Sequence, residues 1–208
     1  MPKAQTEIKR AVWKMLESIW NDDDFQFWDA DRNNALREDI LKNLARFPMT
    51  DDERAADIGL PEGCRIREGA KVISADNLQC GKHVWIGENA IVDASGGLEI
   101  GDHTTIASSV FVWSHTSVMS SLMGQNTPGN SWIRRAATKI GSNTFIGGPS
   151  VINPGITIGK RCIVMPMSVV TEDVPDNTMV GGAPAVAKRT IDDAWLERER
   201  LKLAGNSG

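Results

Sequence analysis

Apolar residues that favour β-structure recur every six positions over most of the sequence, and this period predicts a mainly β chain folded as a left-handed parallel β-helix. Neither an α-helix nor an alternating strand has a period of six. A three-sided coil of short strands has that period when each face turns one side chain inward. Shorter series start at Ile66, Ile86 and Ile100. The longest series is Ile140, Ile146, Ile152, Ile158, Val164 and Val170.

Small residues at two fixed offsets support the same fold. Glycine often follows the apolar residue directly, where the chain would turn a tight corner beside its neighbours. A short side chain recurs four positions after the apolar residue and would fit inside a narrow prism. The glycines are Gly87, Gly101, Gly141, Gly147 and Gly159. The short residues are Ala90, Thr104, Thr144, Ser150, Cys162 and Ser168.

The six-residue period fails at two places. Between Leu98 and Ile100 it slips by two positions, which indicates an adjustment at a corner. Between Val112 and Ile140 the gap is not a multiple of six, and we expect an extended loop over residues 116–137. Long loops without secondary structure of their own often carry function. This loop begins directly after a histidine.

The β-helix is expected over residues 64–187, between helical segments. Residues 1–58 are predicted to form an α-helical region, because two stretches there have apolar residues at helical spacing. In the first stretch these are Ile8, Val12, Met15, Leu16 and Ile19. The second stretch begins near Asn33 and ends before Pro48. A short helix over residues 190–205 is expected to cover the open end of the solenoid.

The composition argues against several classes of function. The 208 residues include 23 basic and 27 acidic side chains, for a net charge of −4, and no basic block marks a nucleic-acid surface. Cys64, Cys80 and Cys162 stand singly, which argues against a structural zinc site or a disulfide framework. Neither a signal peptide nor an apolar run of transmembrane length is present in the sequence. We therefore expect a cytoplasmic protein without nucleic-acid partners or membrane insertion.

Two segments resemble the hexapeptide-repeat acyltransferases, and they are most similar to the sugar and polysaccharide O-acetyltransferases of the galactoside and maltose acetyltransferase type. Residues 140–159 read IGSNTFIGGPSVINPGITIG. Residues 169–175 read VVTEDVP, and residues 181–185 read GGAPA. The resemblance covers the chain from about Ile86 to Arg189. It implies a homotrimeric, acetyl-CoA-dependent acetyltransferase of polysaccharide biosynthesis, with acetyl-CoA in the groove between adjacent prisms and no metal.

The same resemblance implies a catalytic role for His115, which would be the general base. An acceptor hydroxyl is a poor nucleophile until a base takes its proton, and imidazole is suited to this near neutral pH. Trp113 and Ser114 directly precede the histidine and are predicted to bind substrate. Trp132, near the end of the extended loop, is a further candidate that would contact either the acceptor or a neighbouring subunit. Asp93 resembles an acceptor-side carboxylate of the family, with a corner residue as the alternative.

The coenzyme A contacts implied by the resemblance lie late in the chain. The matching positions are Gly148, Pro166, Thr171, Lys188 and Arg189. The two cations suit phosphate oxygens. The sequence departs from the family at residues 165–168, where MPMS replaces a run of small residues, and at Val186, where many members have arginine.

Three alternative functions stay open at the level of sequence. An N-acetyltransferase acting on a nucleotide-linked amino sugar would use the same fold and donor. A γ-type carbonic anhydrase needs three histidines on one zinc ion, whereas His83, His103 and His115 include no closely spaced pair. A non-catalytic scaffold would need no histidine at all.

Overall fold

The computed structural model describes residues 7, 10–12, 14–15, 17–18, 31–125 and 132–205. The chain divides into two compact units, residues 1–50 and 51–208. In the first unit the described residues between 7 and 18 are helical, including Val12 and Met15. Ile8, Leu16 and Ile19 of the predicted first helix lie outside the described residues.

Helix α1 (Asp31–Ala45) is the predicted second helix of the N-terminal region. It starts two residues before Asn33 and ends before Pro48, with a turn between. The second unit opens with helix α2 (Asp51–Asp57), whose first turn holds three acidic residues. Carboxylates there are stabilised by the free amides and positive dipole of a helix N-terminus.

The rest of the second unit is a parallel β-helix with three faces, which confirms the predicted fold. The first face stacks β1 (Arg65–Ile66), β4 (Trp85–Ile86), β7 (Thr105–Ile106), β12 (Phe145–Ile146), β15 (Ile163–Val164), β17 (Thr178–Gly181) and β18 (Val186–Thr190). The second face stacks β2 (Lys71–Ile73), β5 (Ile91–Asp93), β8 (Phe111–Val112), β13 (Val151–Ile152) and β16 (Val169–Val170). The third face stacks β3 (Leu78–Cys80), β6 (Leu98–Ile100), β11 (Thr138–Ile140) and β14 (Thr157–Ile158).

One coil of the prism uses one strand from each face, so that β1–β3 form the first coil and β4–β6 the second. The third coil consists of β7, β8 and β11, and the fourth of β12–β14. Neighbouring strands pair in parallel on every face, except for the last pair of the first face, β17 with β18. Ile146 lies between Ile106 and Val164 on the first face. The residues of the longest six-residue series are buried, with at most 2% of each exposed. One aliphatic column therefore fills the prism.

The slip between Leu98 and Ile100 is not a corner adjustment. Both side chains are buried in strand β6, and Glu99 between them is half-buried and faces outward. An early coil is therefore two residues longer than a later one. Ile86 pairs with Ile106, twenty positions on, whereas Ile146 pairs with Val164, eighteen positions on.

The corners have the small residues that the sequence predicts and one feature that it does not. A side chain at Gly87 would place its Cβ 2.5 Å from the amide nitrogen of Ser108 in the next coil, so only glycine fits there. All six short residues predicted to face inward are buried. Two positions after the corner glycine, the backbone is left-handed, often without glycine, as at Asn89 and Asn143. Asparagine tolerates that conformation better than most residues.

The predicted C-terminal helix is present, but the strand before it and its packing differ from the prediction. Strand β18 runs antiparallel to β17 and was not predicted. Helix α4 covers Asp193–Gly205, and the amide of Trp195 donates to Asp192 Oδ1 at 2.6 Å, which caps the helix. Asp193 pairs with Arg161 at 2.8 Å, and Trp195 lines a cavity with Phe145 on the outside of the first face. The helix thus packs along a face rather than over the open end. Within the described ranges, no helix combines the length and apolarity needed to cross a bilayer.

Candidate active site

The third coil is interrupted at the corner between the second and third faces, and His115 lies at this interruption. After β8 the chain forms β9 (His115–Thr116) and helix α3 (Val118–Leu122), and returns through β10 (Arg134–Arg135), which pairs antiparallel with β9. We call residues 115–135 the excursion. The predicted loop over residues 116–137 therefore has secondary structure of its own in its described part.

Two hydrogen bonds close the prism beneath the excursion. The amide of Ala136 donates to the Ser114 carbonyl at 2.8 Å, and the Thr138 hydroxyl donates to the Trp113 carbonyl at 2.7 Å. The two ends of the excursion are thereby held together, and the coil continues into β11. The backbone next to His115 is consequently attached to the prism, and His115 does not lie on a free loop.

Asp93 ends strand β5, one coil before His115, and its carboxylate is fully buried. Oδ1 accepts a hydrogen bond from the Ser95 amide at 3.0 Å. Oδ2 accepts from the amide and the hydroxyl of Ser114 at 2.9 and 3.1 Å. The same oxygen lies 2.7 Å from Nδ1 of His115. A buried carboxylate needs such a set of donors to stay charged.

The contact with Asp93 decides which tautomer the imidazole adopts. An ionised carboxylate only accepts hydrogen bonds, so Nδ1 of His115 must carry a proton. The Ser95 hydroxyl lies 3.0 Å from the same nitrogen. Nε2 has no hydrogen-bond partner among the described residues, and 31% of the side chain is exposed. In the neutral ring, Nε2 is therefore a lone-pair acceptor open to a ligand.

The hydrogen bonds to Asp93 also lower its pKa and so keep the carboxylate charged. Burial alone would raise this pKa, but the hydrogen bonds from the Ser114 and Ser95 amides, the Ser95 hydroxyl and His115 outweigh it and lower the pKa to about 2. The acid form is thus absent near neutral pH. A charged, oriented carboxylate stabilises the imidazolium that forms when Nε2 takes a proton.

The four residues predicted to bind substrate lie at different depths. Asp93 and Ser114 are fully buried and bonded to each other, so they support His115 from behind and are closed to an acceptor. Trp113 is half-buried, and its ring meets the His115 ring edge to face with centroids 6.0 Å apart. Trp132 lies on the excursion just before β10 with 48% of its surface exposed.

Ser95 was not predicted from the sequence, and Arg135 was predicted only as part of a cluster with Trp132 and Arg134 that would contact either the acceptor or a neighbouring subunit. Ser95 follows Asp93 by two residues, and this spacing is typical of a turn in which a carboxylate accepts the amide two positions on. That signal was available in the sequence. Arg135 is the β-ladder partner of His115, and only the antiparallel return of the excursion brings it there.

Comparison with known proteins places the chain in a family. A sequence model described as bacterial transferase hexapeptide (six repeats) matches residues 137–172. The protein CapG of Staphylococcus aureus is 38% identical over 166 residues, which cover 76% of this chain and 80% of CapG. The chain belongs to the hexapeptide-repeat transferase family.

Other members of the family are similar over shorter stretches or in fold. Galactoside O-acetyltransferase of Escherichia coli K12 is 31% identical over 117 residues, 56% of each chain, so the match spans about half of that relative. The crystal structure of a hexapeptide-repeat-containing acetyltransferase from Vibrio cholerae superposes with a TM-score of 0.66 at 27% identity, and the match covers 79% of this chain and 95% of that one. Its complex with acetyl coenzyme A gives a TM-score of 0.60 at 25% identity, with 81% and 94% covered.

The predicted donor residues of this hexapeptide-repeat transferase lie in three places on the chain. Gly148 and Pro166 lie at one corner of consecutive coils, where the Met167 amide donates to the Pro149 carbonyl at 2.7 Å. Lys188 and Arg189 are exposed on β18. Thr171 is exposed at a different corner, after β16, so one chain does not bring it beside the first pair.

The departure at residues 165–168 leaves two methionines on the surface. Met167 has 71% of its surface exposed and Met165 has 40%. Met165 packs beside Gly181, where an added Cβ would lie 2.9 Å from the methionine sulfur. An apolar edge therefore borders the corner that holds Gly148 and Pro166.

The histidines do not form the site of a γ-type carbonic anhydrase within this chain. The rings of His83 and His103 stack with centroids 4.9 Å apart at the corner between the third and first faces, whereas His115 lies at another corner. The described residues contain no group of three or more His, Cys, Asp or Glu side chains that could hold a metal ion.

Proposed function

We propose that this hexapeptide-repeat transferase is an acetyltransferase that moves the acetyl group of acetyl-CoA to a hydroxyl of a sugar or glycan-type acceptor, with His115 as general base. The observation that carries the proposal is the 2.7 Å contact between buried Asp93 and Nδ1 of His115. It holds the imidazole in the tautomer that a base requires. The names of two relatives, a galactoside O-acetyltransferase and an acetyltransferase crystallised with acetyl coenzyme A, support the reaction class.

The proposed reaction is a direct transfer. Nε2 of His115 takes the proton of the acceptor hydroxyl as its oxygen attacks the carbonyl carbon of the thioester. The carbon–sulfur bond then breaks, and the imidazolium returns the proton to the departing thiolate of coenzyme A. Asp93 keeps its charge and stabilises the imidazolium between the two proton transfers.

The cysteines are poorly suited to a covalent route. Burial, with Cys64 beside it, raises the pKa of the Cys80 thiol to about 12. Burial also raises the pKa of Cys162. A thiol attacks as its thiolate, and these two groups stay protonated near neutral pH. An acyl-enzyme on Cys80 or Cys162 is therefore not part of the proposal.

On the donor side, we assign Gly148 and Pro166 to the pantetheine arm and Lys188 and Arg189 to the phosphates. Gly148 is partly exposed at its corner, and the two cations on β18 are exposed and suit phosphate oxygens. Thr171 would come from the other wall of a groove between two prisms. The homotrimer that this groove implies, a cytoplasmic location and a role in polysaccharide biosynthesis belong to the same proposal. Light scattering of the purified protein tests the trimer.

The central experiment is His115→Ala with His103→Asn as its matched control. We expect a loss of at least ~100-fold in acetyl transfer from His115→Ala, in line with general-base catalysis elsewhere. The His103→Asn variant should retain full activity, because Asn143 occupies the equivalent corner position in the next coil. Transfer is measured as release of free coenzyme A with a panel of sugars. An unchanged rate in His115→Ala would remove the general base from the proposal.

A second arm of that experiment compares hydroxyl and amine acceptors. Glucose and galactose offer hydroxyls alone, whereas glucosamine adds an amine. Mass spectrometry and base lability of the product distinguish an ester from an amide. Transfer confined to the amine would contradict the O-acetyl part of the proposal and leave the role of His115 intact.

A further inference from the structure

We infer that the cleft beside His115 binds the acceptor, and that Asp76 and Arg135 select a neutral, hydroxyl-rich molecule over a phosphorylated one. This inference rests on the proposed function and gives it a substrate class. The cleft has a volume of about 480 Å³ and is lined by Asp76, Asn77, Gln79, Ser95, Gly96, Gly97 and Arg135.

Two contacts place this cleft next to His115, which does not itself line it. The Ser95 hydroxyl, on one wall, lies 3.0 Å from Nδ1 of His115. Arg135, on another, is the antiparallel partner of His115 across β9 and β10. Directly paired residues in antiparallel strands project to the same side of the ribbon. The guanidinium and the imidazole therefore share one side of the excursion.

The position of the cleft along the prism suits a ternary complex. Its lining residues other than Arg135 come from the first two coils, before His115. The residues assigned to the donor come from the fourth coil and later ones. His115, on the third coil, lies between the two sets. A direct transfer requires donor and acceptor to meet at the base from opposite sides, and this order of coils provides that arrangement.

Main-chain atoms form part of the cleft lining, and hydrogen bonds hold them in place. The Gly96 amide donates to the Ser114 hydroxyl at 2.8 Å. A side chain at Gly96 would collide with the Ser114 carbonyl, and Gly97 has a φ of +94° that favours glycine. Both positions therefore lack side chains, and this part of the cleft lining is main chain. Asp76 projects from the 3₁₀ turn Ala75–Asn77, which the Asn77 amide closes by donating to the Ser74 carbonyl at 2.9 Å.

The chemistry of the lining fits a polyol. A carboxylate accepts hydrogen bonds, a guanidinium donates them, and the amides of Asn77 and Gln79 do both, so neighbouring hydroxyls of one ring can all be paired. The single carboxylate and the single guanidinium of this lining cancel in charge. A diphosphate would need an excess of cations, because buried or clustered phosphate oxygens require charged donors. The cleft thus favours a glycoside over a nucleotide-linked sugar.

The test uses Asp76→Asn and Arg135→Met, with Glu62→Gln and Arg65→Met as controls. The controls remove the same charges from exposed positions near the start of the β-helix that do not line the cleft. With methyl glycosides as acceptors, each cleft variant should raise the acceptor KM about tenfold or more, since a hydrogen bond to a charged group is lost. The KM for acetyl-CoA should stay within twofold in all four proteins. Unchanged acceptor KM values in the cleft variants would overturn the inference.

A binding measurement separates this inference from the proposed function. Saturation-transfer NMR reports contact of methyl glycosides with the His115→Ala protein, whether or not catalysis occurs. We expect binding there that Asp76→Asn weakens and that UDP-glucose does not displace at equal concentration. Glycoside binding without acetyl transfer by the wild-type protein would reject the proposed function and keep the cleft. Absence of glycoside binding, or stronger binding of UDP-glucose, would reject the cleft as assigned.

Discussion

Two corners of the same prism hold histidines in different surroundings. His83 and His103 occupy consecutive coils at one corner, where both have left-handed backbone and their rings stack on each other. His115 lies at another corner, where buried Asp93 contacts its Nδ1. The first corner requires a residue that tolerates a left-handed backbone, and in the next coil Asn143 occupies the same position. What distinguishes the second corner is a carboxylate that orients the ring and leaves Nε2 open.

The largest loss of activity is expected from Asp93→Asn, which changes the group that orients His115. The introduced NH2 group must replace either Oδ1, beside the Ser95 amide, or Oδ2, beside the Ser114 amide and Nδ1 of His115. In the first orientation the charge that stabilises the imidazolium is lost. In the second the NH2 group also donates to Nδ1 and favours the tautomer with the proton on Nε2, which cannot act as a base. We expect kcat to fall by at least ~100-fold with little change in the KM for acetyl-CoA. The measurement is steady-state kinetics, with circular dichroism to show that the variant is folded.

A second substitution, Asp93→Ser, tests whether that loss arises from the tautomer of His115. It removes the carboxylate without forcing a tautomer, so it should retain more activity than Asp93→Asn. Equal losses in the two variants would mean that Asp93 acts through the charge or the fold and not through the tautomer of His115.

Asp93 should also make stability sensitive to acid. Its pKa is about 2 in the folded chain against an ordinary value of 3.8, so the folded state holds this proton more weakly than the unfolded one. The resulting stabilisation is present above about pH 4 and is lost as the pH falls towards 2. It amounts to about 2 kcal/mol. Urea unfolding at pH 5, 4 and 3 should show the difference in unfolding free energy between wild type and Asp93→Asn shrinking with each step. A difference independent of pH would contradict the low pKa.

The fold could be predicted from the sequence because each inward position depends on the local period alone. Ile146 and Ile152 lie where the count of six puts them, and both are fully buried. His115 could also be selected as a candidate, because the family resemblance and the break in the period both indicate it, and its catalytic role stays a prediction. The depth of Asp93 could not be predicted. A residue at the end of a strand can point either way at a corner, and only the stacking of the next coil, with Ser114 above it, shows that this side chain is enclosed.

Strand β18 and the packing of helix α4 were missed for a related reason. Both lie beyond the last regular repeat, where no period remains to be counted. The residues that hold them, such as Arg161 with Asp193, are distant in the sequence. Long-range pairs of this kind leave no local pattern.

A smaller effect is expected from Ser95→Ala. The hydroxyl lies 3.0 Å from Nδ1, but Asp93 is closer, and the Ser95 amide that bonds Asp93 belongs to the backbone and survives the change. We expect kcat to fall by roughly two- to fivefold, since one neutral hydrogen bond contributes on the order of 1 kcal/mol or less. Kinetics at saturating acceptor measure it. A loss as large as that of Asp93→Asn would transfer the orienting role to the serine.

The smallest effect on activity is expected at the other corner. His103→Val places a β-branched residue at a φ of 55°, and we expect the free energy of unfolding to fall by about 1–2 kcal/mol while kcat stays within twofold. His103→Asn should leave both quantities unchanged, because asparagine accepts this conformation. Thermal unfolding and kinetics of the two variants test the pair. A large loss of activity in the asparagine variant would show that the stacked histidines contribute to the reaction, and the contrast between the two corners would fail.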